Sequence, residues 1–512
     1  MLFNSYVFIL LFLPVCVIGF YLLKALKLHE ISLLFLSLAS LFFYGYWDIR
    51  YVPLILISIT VNYLIGRAIA KTKRESAHEN AHDHSRSSCF SLSLSLGAIA
   101  SRKSLLAIGI VFNLALLGFF KYCDFFLVGF NSIFDANIPL QHIVLPLAIS
   151  FFTFQQIAFC VDSYRDLAKD YRFWHYALFV LFFPQLIAGP IVHHGEMINQ
   201  FMRLKNRLKP KAEHFAIGIS IFTIGLFKKV CIADNLSFYA NAIFAAAESG
   251  AHITAIEAWI GAVSYSLQLY FDFSGYSDMA IGLARLFGVR LPLNFYSPYK
   301  SRSIIEFWRR WHITLSRFLR DYLYIPLGGS RHGSFRRYIN LGLTMVLGGL
   351  WHGAGITYLF WGFAHGALLI INHLWRGFEF KFCSGRLWKF TAAAITFISV
   401  VNAWVLFRSS DFTTAIAMYQ AMYDLTAISL VFANGFMWYE AVLILIPSLL
   451  IVFFMPTTHE IMSRYRPVYG ISAAPSKITF KPTLFWACFI AVLLFLSMIS
   501  LEHAHEFLYF QF

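Results

Sequence analysis

The chain has 512 residues, 59% of them hydrophobic, 18% aromatic and only 13% charged, with a mean hydropathy of +0.65. That composition excludes a soluble globule, and the gaps between apolar runs are too short for an independent soluble domain of ~100 residues. The formal net charge of +15 does not call for nucleic acid, because Lys and Arg collect in the cytoplasmic loops of membrane proteins.

A bilayer crossing needs ~20 mostly apolar residues. Such runs fall near 4–23, 31–47, 52–70, 105–130, 144–161, 214–232, 256–271, 341–375, 390–407, 438–455 and 483–501. The reading is an all-α, polytopic integral membrane protein of roughly ten to twelve transmembrane helices, with short or re-entrant helices in addition. N-terminal helices occupy 1–135, a core occupies 136–380, and C-terminal helices occupy 381–512. The first run lacks a basic leader and a small-residue cleavage site, and reads as an anchor.

After the third run, SAHENAHDHSRSS carries His78, His82, Asp83 and His84. It reads as a polar Ser/His loop rather than a metal site, and no resident metal is expected. Seven scattered cysteines, without CxxC spacing, read as structural. No phosphate loop, HExxH zinc helix, GxSxG elbow or dinucleotide fingerprint is present.

Loops 162–173 and 201–213 are both basic and should both be cytoplasmic. The intervening FWHYALFVLFFPQLIAGPIV is long enough to cross once, but Pro184, Gly189 and Pro190 would break its helix. A broken, re-entrant hairpin resolves the parity, since irregular backbone is tolerated at membrane depth inside protein. A simple crossing that violates the charge rule is the alternative.

From 262 onward, Gln268, Asp272, Ser274, Tyr276, Ser277 and Asp278 interrupt an apolar helix. Buried carboxylates need partners, and Arg309, Arg310, Arg317 and Arg320 in the next segment are candidates. His312 follows in EFWRRWHITLSRFLRDYLYIPLGG, then His352 and His365 in LTMVLGGLWHGAGITYLFWGFAHG. A histidine at bilayer depth is uncommon and is a functional-site hypothesis by default. Imidazole can exchange a proton near neutral pH, so these residues suggest proton-transfer chemistry within the membrane. The 35-residue run 341–375 exceeds one span, and a break is expected near Gly348, Gly349, Gly353 and Gly355, which would also admit a thin ligand or a second helix. At the C-terminus, basic loop 456–482 and one crossing at 483–501 place the tail EHAHEFLYFQF on the outer side.

The strings VLPLAISFFTFQQIAFCVDSYR, FFPQLIAGPIV, GLFKKVCIAD, QLYFDFSGYSDMAIG, NFYSPY, FWRRWHITLSRFLRDYLYIPLGG and GGLWHGA occur in order between 144 and 354. Together they resemble the membrane-bound O-acyltransferase family, in particular the bacterial branch with the alginate and peptidoglycan O-acetylation proteins and the D-alanyl-transfer membrane component. The resemblance implies helices around a central tunnel. His352, in the WHG string, would be the catalytic residue, and His312, in WRRWH, the second essential one. Trp351, His365, Asp272 and Asp278 would support the tunnel.

Some such systems carry an FxYxxF signature at an extracytoplasmic C-terminus, matched here by Phe507, Tyr509 and Phe512. The resemblance then implies that Tyr509 accepts the acyl group and relays it outward. A phenol of pKa near ~10 is a poor nucleophile at neutral pH and needs a base such as His352. The implied donor is cytoplasmic acetyl-coenzyme A, bound as substrate rather than as a tight cofactor, and drawn by the basic face. The implied partner is a separate extracytoplasmic acyltransferase (SGNH-like) serving a cell-surface polysaccharide, with the chain in the bacterial cytoplasmic membrane among its lipids. Direct acylation of a lipid or protein, D-alanyl transfer from a carrier protein, and a polytopic transporter are the alternatives.

Overall fold

A computed structural model describes residues 1–79, 101–204, 211–377, 385–424, 426, 438–471 and 474–508. Tyr509, Phe512, Cys89, Cys383 and all of the Ser/His loop but its helical backbone up to Glu79 lie outside these residues. The other five cysteines are free. Among the described residues the chain is all-helical, and the β contact is an isolated bridge between Pro292 and Tyr469. Five helical stretches are long and apolar enough to cross a membrane: Val7–Ala25, Ile49–Thr72, Arg102–Phe134, Ala212–Glu248 and Arg386–Arg408. Three shorter apolar helices, His29–Gly45, Tyr439–Phe454 and Leu484–Ser500, join them. The chain is a multi-pass membrane protein.

Two compact units divide it, Phe3–His214 with Leu286–Leu291, and Phe215–Arg285 with Pro292–Phe512. The first contains α1 (Leu13–Ala25), α2 (His29–Gly45), α3 (Val52–Glu79), α4 (Arg102–Leu117), α5 (Cys123–Phe134), α6 (Ile149–Tyr164), α7 (Phe173–Leu181), α8 (Phe183–Leu186) and α9 (His194–Leu204). Lipid cannot drive apolar helices together, so small residues and polar bonds do so. Gly66 of α3 faces the Phe159 ring of α6, and Gly109 of α4 faces Cys160. Between them Asn113 donates to Asn62 at 2.6 Å and Gln156 to Ser58 at 3.1 Å.

The ambiguous segment 174–192 is broken. Helix α7 has nine residues, about 14 Å at 1.5 Å per residue, under half the bilayer's hydrocarbon core. It stops at Phe182, whose ψ of 103° leaves the helical region, and α8 is a single turn before Gly189 and Pro190. Every residue from His175 to Val192 is buried, which is where irregular backbone is tolerated.

The second unit contains α10 (Ala212–Phe227), which runs through a π-helical turn, Lys228–Ala233, into α11 (Asp234–Glu248). Then come α12 (Ala255–Leu286), α13 (Ile304–Trp308), α14 (Ile313–Leu319), α15 (Gly333–His352), α16 (Ile356–Gly377), α17 (Arg386–Arg408), α18 (Phe412–Tyr423), α19 (Trp438–Phe454), α20 (Thr458–Ile461) and α21 (Leu484–Ser500). Helix α12 is its centre, buried without interruption from Ser264 to Val289. Glycines seven residues apart join it to α10: a Cβ on Gly225 would strike the backbone of Gly275 and Met279, and one on Gly282 that of Gly218 and Phe222. The run 341–375 is two helices, parted at Gly353–Gly355. Its glycines serve a helix contact, since Gly349 and Gly362 each face the other helix's backbone.

Candidate active site

Three histidines of the second unit meet one cluster of indoles. His352 is the last residue of α15, beside Trp351, and is 6% exposed. The chain then turns sharply into α16, and a Cβ on Gly353 would overlap the Tyr358 ring. That reversal brings the His352 ring to 5.2 Å from Trp361 and 5.2 Å from Phe407, both edge-on. Trp361 also lies 4.8 Å from His365, one helical turn further on, so a single indole touches both histidines. His365 is fully buried, stacked on Phe307 at 6.2 Å and edge-on to Trp308 at 5.1 Å. Neither of its ring nitrogens has a hydrogen-bond partner among the described residues.

His312 arrives from another element. It precedes α14 with φ 42° and ψ 52°, a left-handed conformation that costs a non-glycine residue about 1–3 kcal/mol. Asn294 holds it there. The Ile313 amide donates to the Asn294 carbonyl at 2.9 Å. The Thr314 amide and hydroxyl donate to Asn294 Oδ1 at 3.2 and 2.9 Å. His312 Nδ1 lies 3.2 Å from that same Oδ1. A backbone amide can only donate, so the shared atom is the oxygen and Nδ1 carries the proton. In the neutral ring the lone pair is therefore on Nε2, which is buried and has no hydrogen-bond partner among the described residues. The ring stands edge-on to Phe273 at 4.8 Å and 6.4 Å from Trp351, which in turn is 4.9 Å from His352. His312, Trp351, His352, Trp361 and His365 thus form one line of ring contacts. Such a site can take up and release a proton in a buried setting.

Asp272 and Asp278 are paired, but not with the arginines of the next segment. Lys228 Nζ lies 2.6 Å from Asp278, which also receives the Thr458 hydroxyl at 2.6 Å and faces His459 Nε2 at 3.0 Å. Lys229 Nζ lies 2.6 Å from Asp272 and 2.8 Å from Asp234. Arg310 and Arg320 pair instead with Glu306 and Asp321, each at 2.7 Å. Geometry explains the correction. Asp272 and Asp278 are six residues apart, roughly 120° around the helix, and the adjacent lysines of the π-turn point in different directions, so each lysine meets one carboxylate. Phe507 joins this cluster, its ring edge-on to Tyr276 at 4.5 Å and 4.8 Å from Lys229 Nζ.

The profile of the MBOAT, membrane-bound O-acyltransferase family matches residues 46–413. The chain belongs to that family. It is 43% identical over 460 residues to the peptidoglycan O-acetyltransferase of Helicobacter pylori, covering 84% of this chain and 81% of that protein. It is 41% identical over 434 residues to the probable alginate O-acetylase of Pseudomonas aeruginosa, covering 83% and 75%. Similarity to the teichoic acid D-alanyltransferase of Bacillus subtilis is lower, 28% over 290 residues, covering 54% and 71%. The protein is an O-acyltransferase, and the transporter reading falls away.

Membership does not by itself assign roles within the membrane-bound O-acyltransferase site. Sequence alone singles out neither Asn294, which orients His312, nor Lys228, Lys229, Thr458 and His459. A buried acidic pair on α12 was the available signal for the two lysines. Nothing in NFYSPY alone singled out the asparagine.

Proposed function

We propose that the protein takes an acetyl group from cytoplasmic acetyl-coenzyme A and passes it across the bacterial cytoplasmic membrane for O-acetylation of a cell-surface polysaccharide. His352 acts as general base. It removes the proton from an acceptor hydroxyl, whose oxygen attacks the thioester carbonyl; the C–O bond forms, the C–S bond breaks, and the departing thiolate takes up a proton. His312, with its lone pair on Nε2, supports the donor or the proton path. The acceptor is Tyr509, and a separate extracytoplasmic acyltransferase moves the ester onward to the polymer. The observation that carries the catalytic part is the buried line of rings from His312 to His365, with a base-competent nitrogen fixed by Asn294. Acetyl is favoured over D-alanyl by the higher similarity to the O-acetylation relatives.

Coenzyme A release from labelled acetyl-coenzyme A by the purified protein tests this. His352→Ala should lower the rate about 10²–10⁴-fold, the usual contribution of a positioned base, while the protein remains folded. Unchanged turnover in a folded His352→Ala protein would remove His352 from the chemistry.

A further inference from the structure

We infer that the buried Lys229–Asp234–Asp272 cluster is a docking site for the main chain of the C-terminal segment, and that these three residues position the tail for acylation; the second part rests on the proposed role of Tyr509.

The cluster contains two carboxylates and one ammonium, so by itself it leaves one negative charge in excess at a buried site, which is costly. The tail completes it group by group. An ammonium has three donors. Lys229 spends two on Asp234 and Asp272, and the third goes to the Glu506 carbonyl at 3.1 Å. Asp234 uses its other oxygen to accept the His505 amide at 3.3 Å, and Asp272 its other oxygen to accept the Leu508 amide at 3.2 Å. Phe507 occupies the remaining face, over the ammonium and edge-on to Tyr276. A cation held over an aromatic face in a desolvated setting is favourable.

Two features mark this as a peptide site rather than an ordinary ion-pair network. The three hydrogen bonds go to the tail's main chain, so the site reads backbone, aided by the ring at 507 and by the His505 side chain, which interacts electrostatically with Asp234. The site's contact with the Leu508 amide lies next to Tyr509 in the sequence. An aromatic acceptor attached to a short held strand is delivered to a fixed place, which is how orientation lowers a barrier. Asp278, Lys228, Thr458 and His459 form a separate cluster.

The test uses the full-length protein in nanodiscs. Leu508→Pro removes one amide donor and leaves every cluster residue intact; Leu508→Ala keeps the donor; Phe507→Ala removes the ring. These substitutions lie beyond α21. Hydrogen exchange at the His505 amide reports docking. We expect exchange at least about tenfold faster in Leu508→Pro and Phe507→Ala and near wild type in Leu508→Ala, since each of the first two loses a contact to the charged cluster. Acetyl label at Tyr509 should fall in the same two variants and persist in Leu508→Ala. Exchange unaltered in Leu508→Pro would overturn the dock. Altered exchange, with Tyr509 unlabelled even in the wild-type protein, would uphold the dock while refuting the tyrosine relay. Altered exchange with undiminished label in Leu508→Pro would remove the positioning role.

Discussion

Asn294 does more at the residue scale than its place in a loop suggests. It accepts from His312 and Thr314 at one oxygen and ties down the left-handed turn that carries the imidazole. Asn294→Ala frees the ring to rotate and to exchange tautomers, and leaves buried donors unpaired at about 1–3 kcal/mol. Acyl-transfer kcat should fall roughly tenfold or more, with a smaller effect on KM, in steady-state kinetics on acetyl-coenzyme A; equal activity would mean that His312 needs no orientation. The histidines themselves were legible because polar rings inside apolar runs stand out. Asn294 was not, because its partners lie 18 and 20 positions away and only a folded turn unites them.

At the scale of elements, small residues decide how closely helices approach. Gly225 on α10 abuts the α12 backbone, which cannot retreat as a flexible side chain would. Gly225→Val should therefore destabilise the fold by about 1–3 kcal/mol or more. The readout is a lowered melting temperature in detergent, and an unchanged one would contradict the close backbone contact. Glycine and proline made two breaks readable in the sequence, those at 353–355 and near 182–190, because both residues act locally. The partners of Asp272 and Asp278 were misassigned because nearness along the chain favoured the arginines, whereas a π-turn some 40 to 50 positions upstream supplies the lysines. A π-turn leaves no simple periodic signature.

For the molecule as a whole, membrane residence followed from composition, and family membership followed from motifs kept in order. Of the apolar runs behind the roughly ten to twelve crossings expected, five are long helices and three are shorter apolar ones among the described residues. Runs such as 144–161 and 256–271 belong to α6 and α12, helices enclosed by protein and bearing buried polar groups. An apolar run records burial, and burial in protein and burial in lipid look alike in sequence. The sequence offers an aromatic motif and an expected outer side for the tail; its seat on Lys229, Asp234 and Asp272 depends on a contact across more than 230 positions.

The central claim is that acetyl passes from a cytoplasmic thioester to the tail with His352 as base. It is tested most directly by mass spectrometry of the C-terminal peptide after incubation with isotopically labelled acetyl-coenzyme A, in wild-type, His352→Ala and Tyr509→Phe proteins. The account predicts label on Tyr509 in the wild-type protein and none on the peptide of either variant. An unlabelled wild-type tail, with acetyl still transferred to an added acceptor, would contradict it.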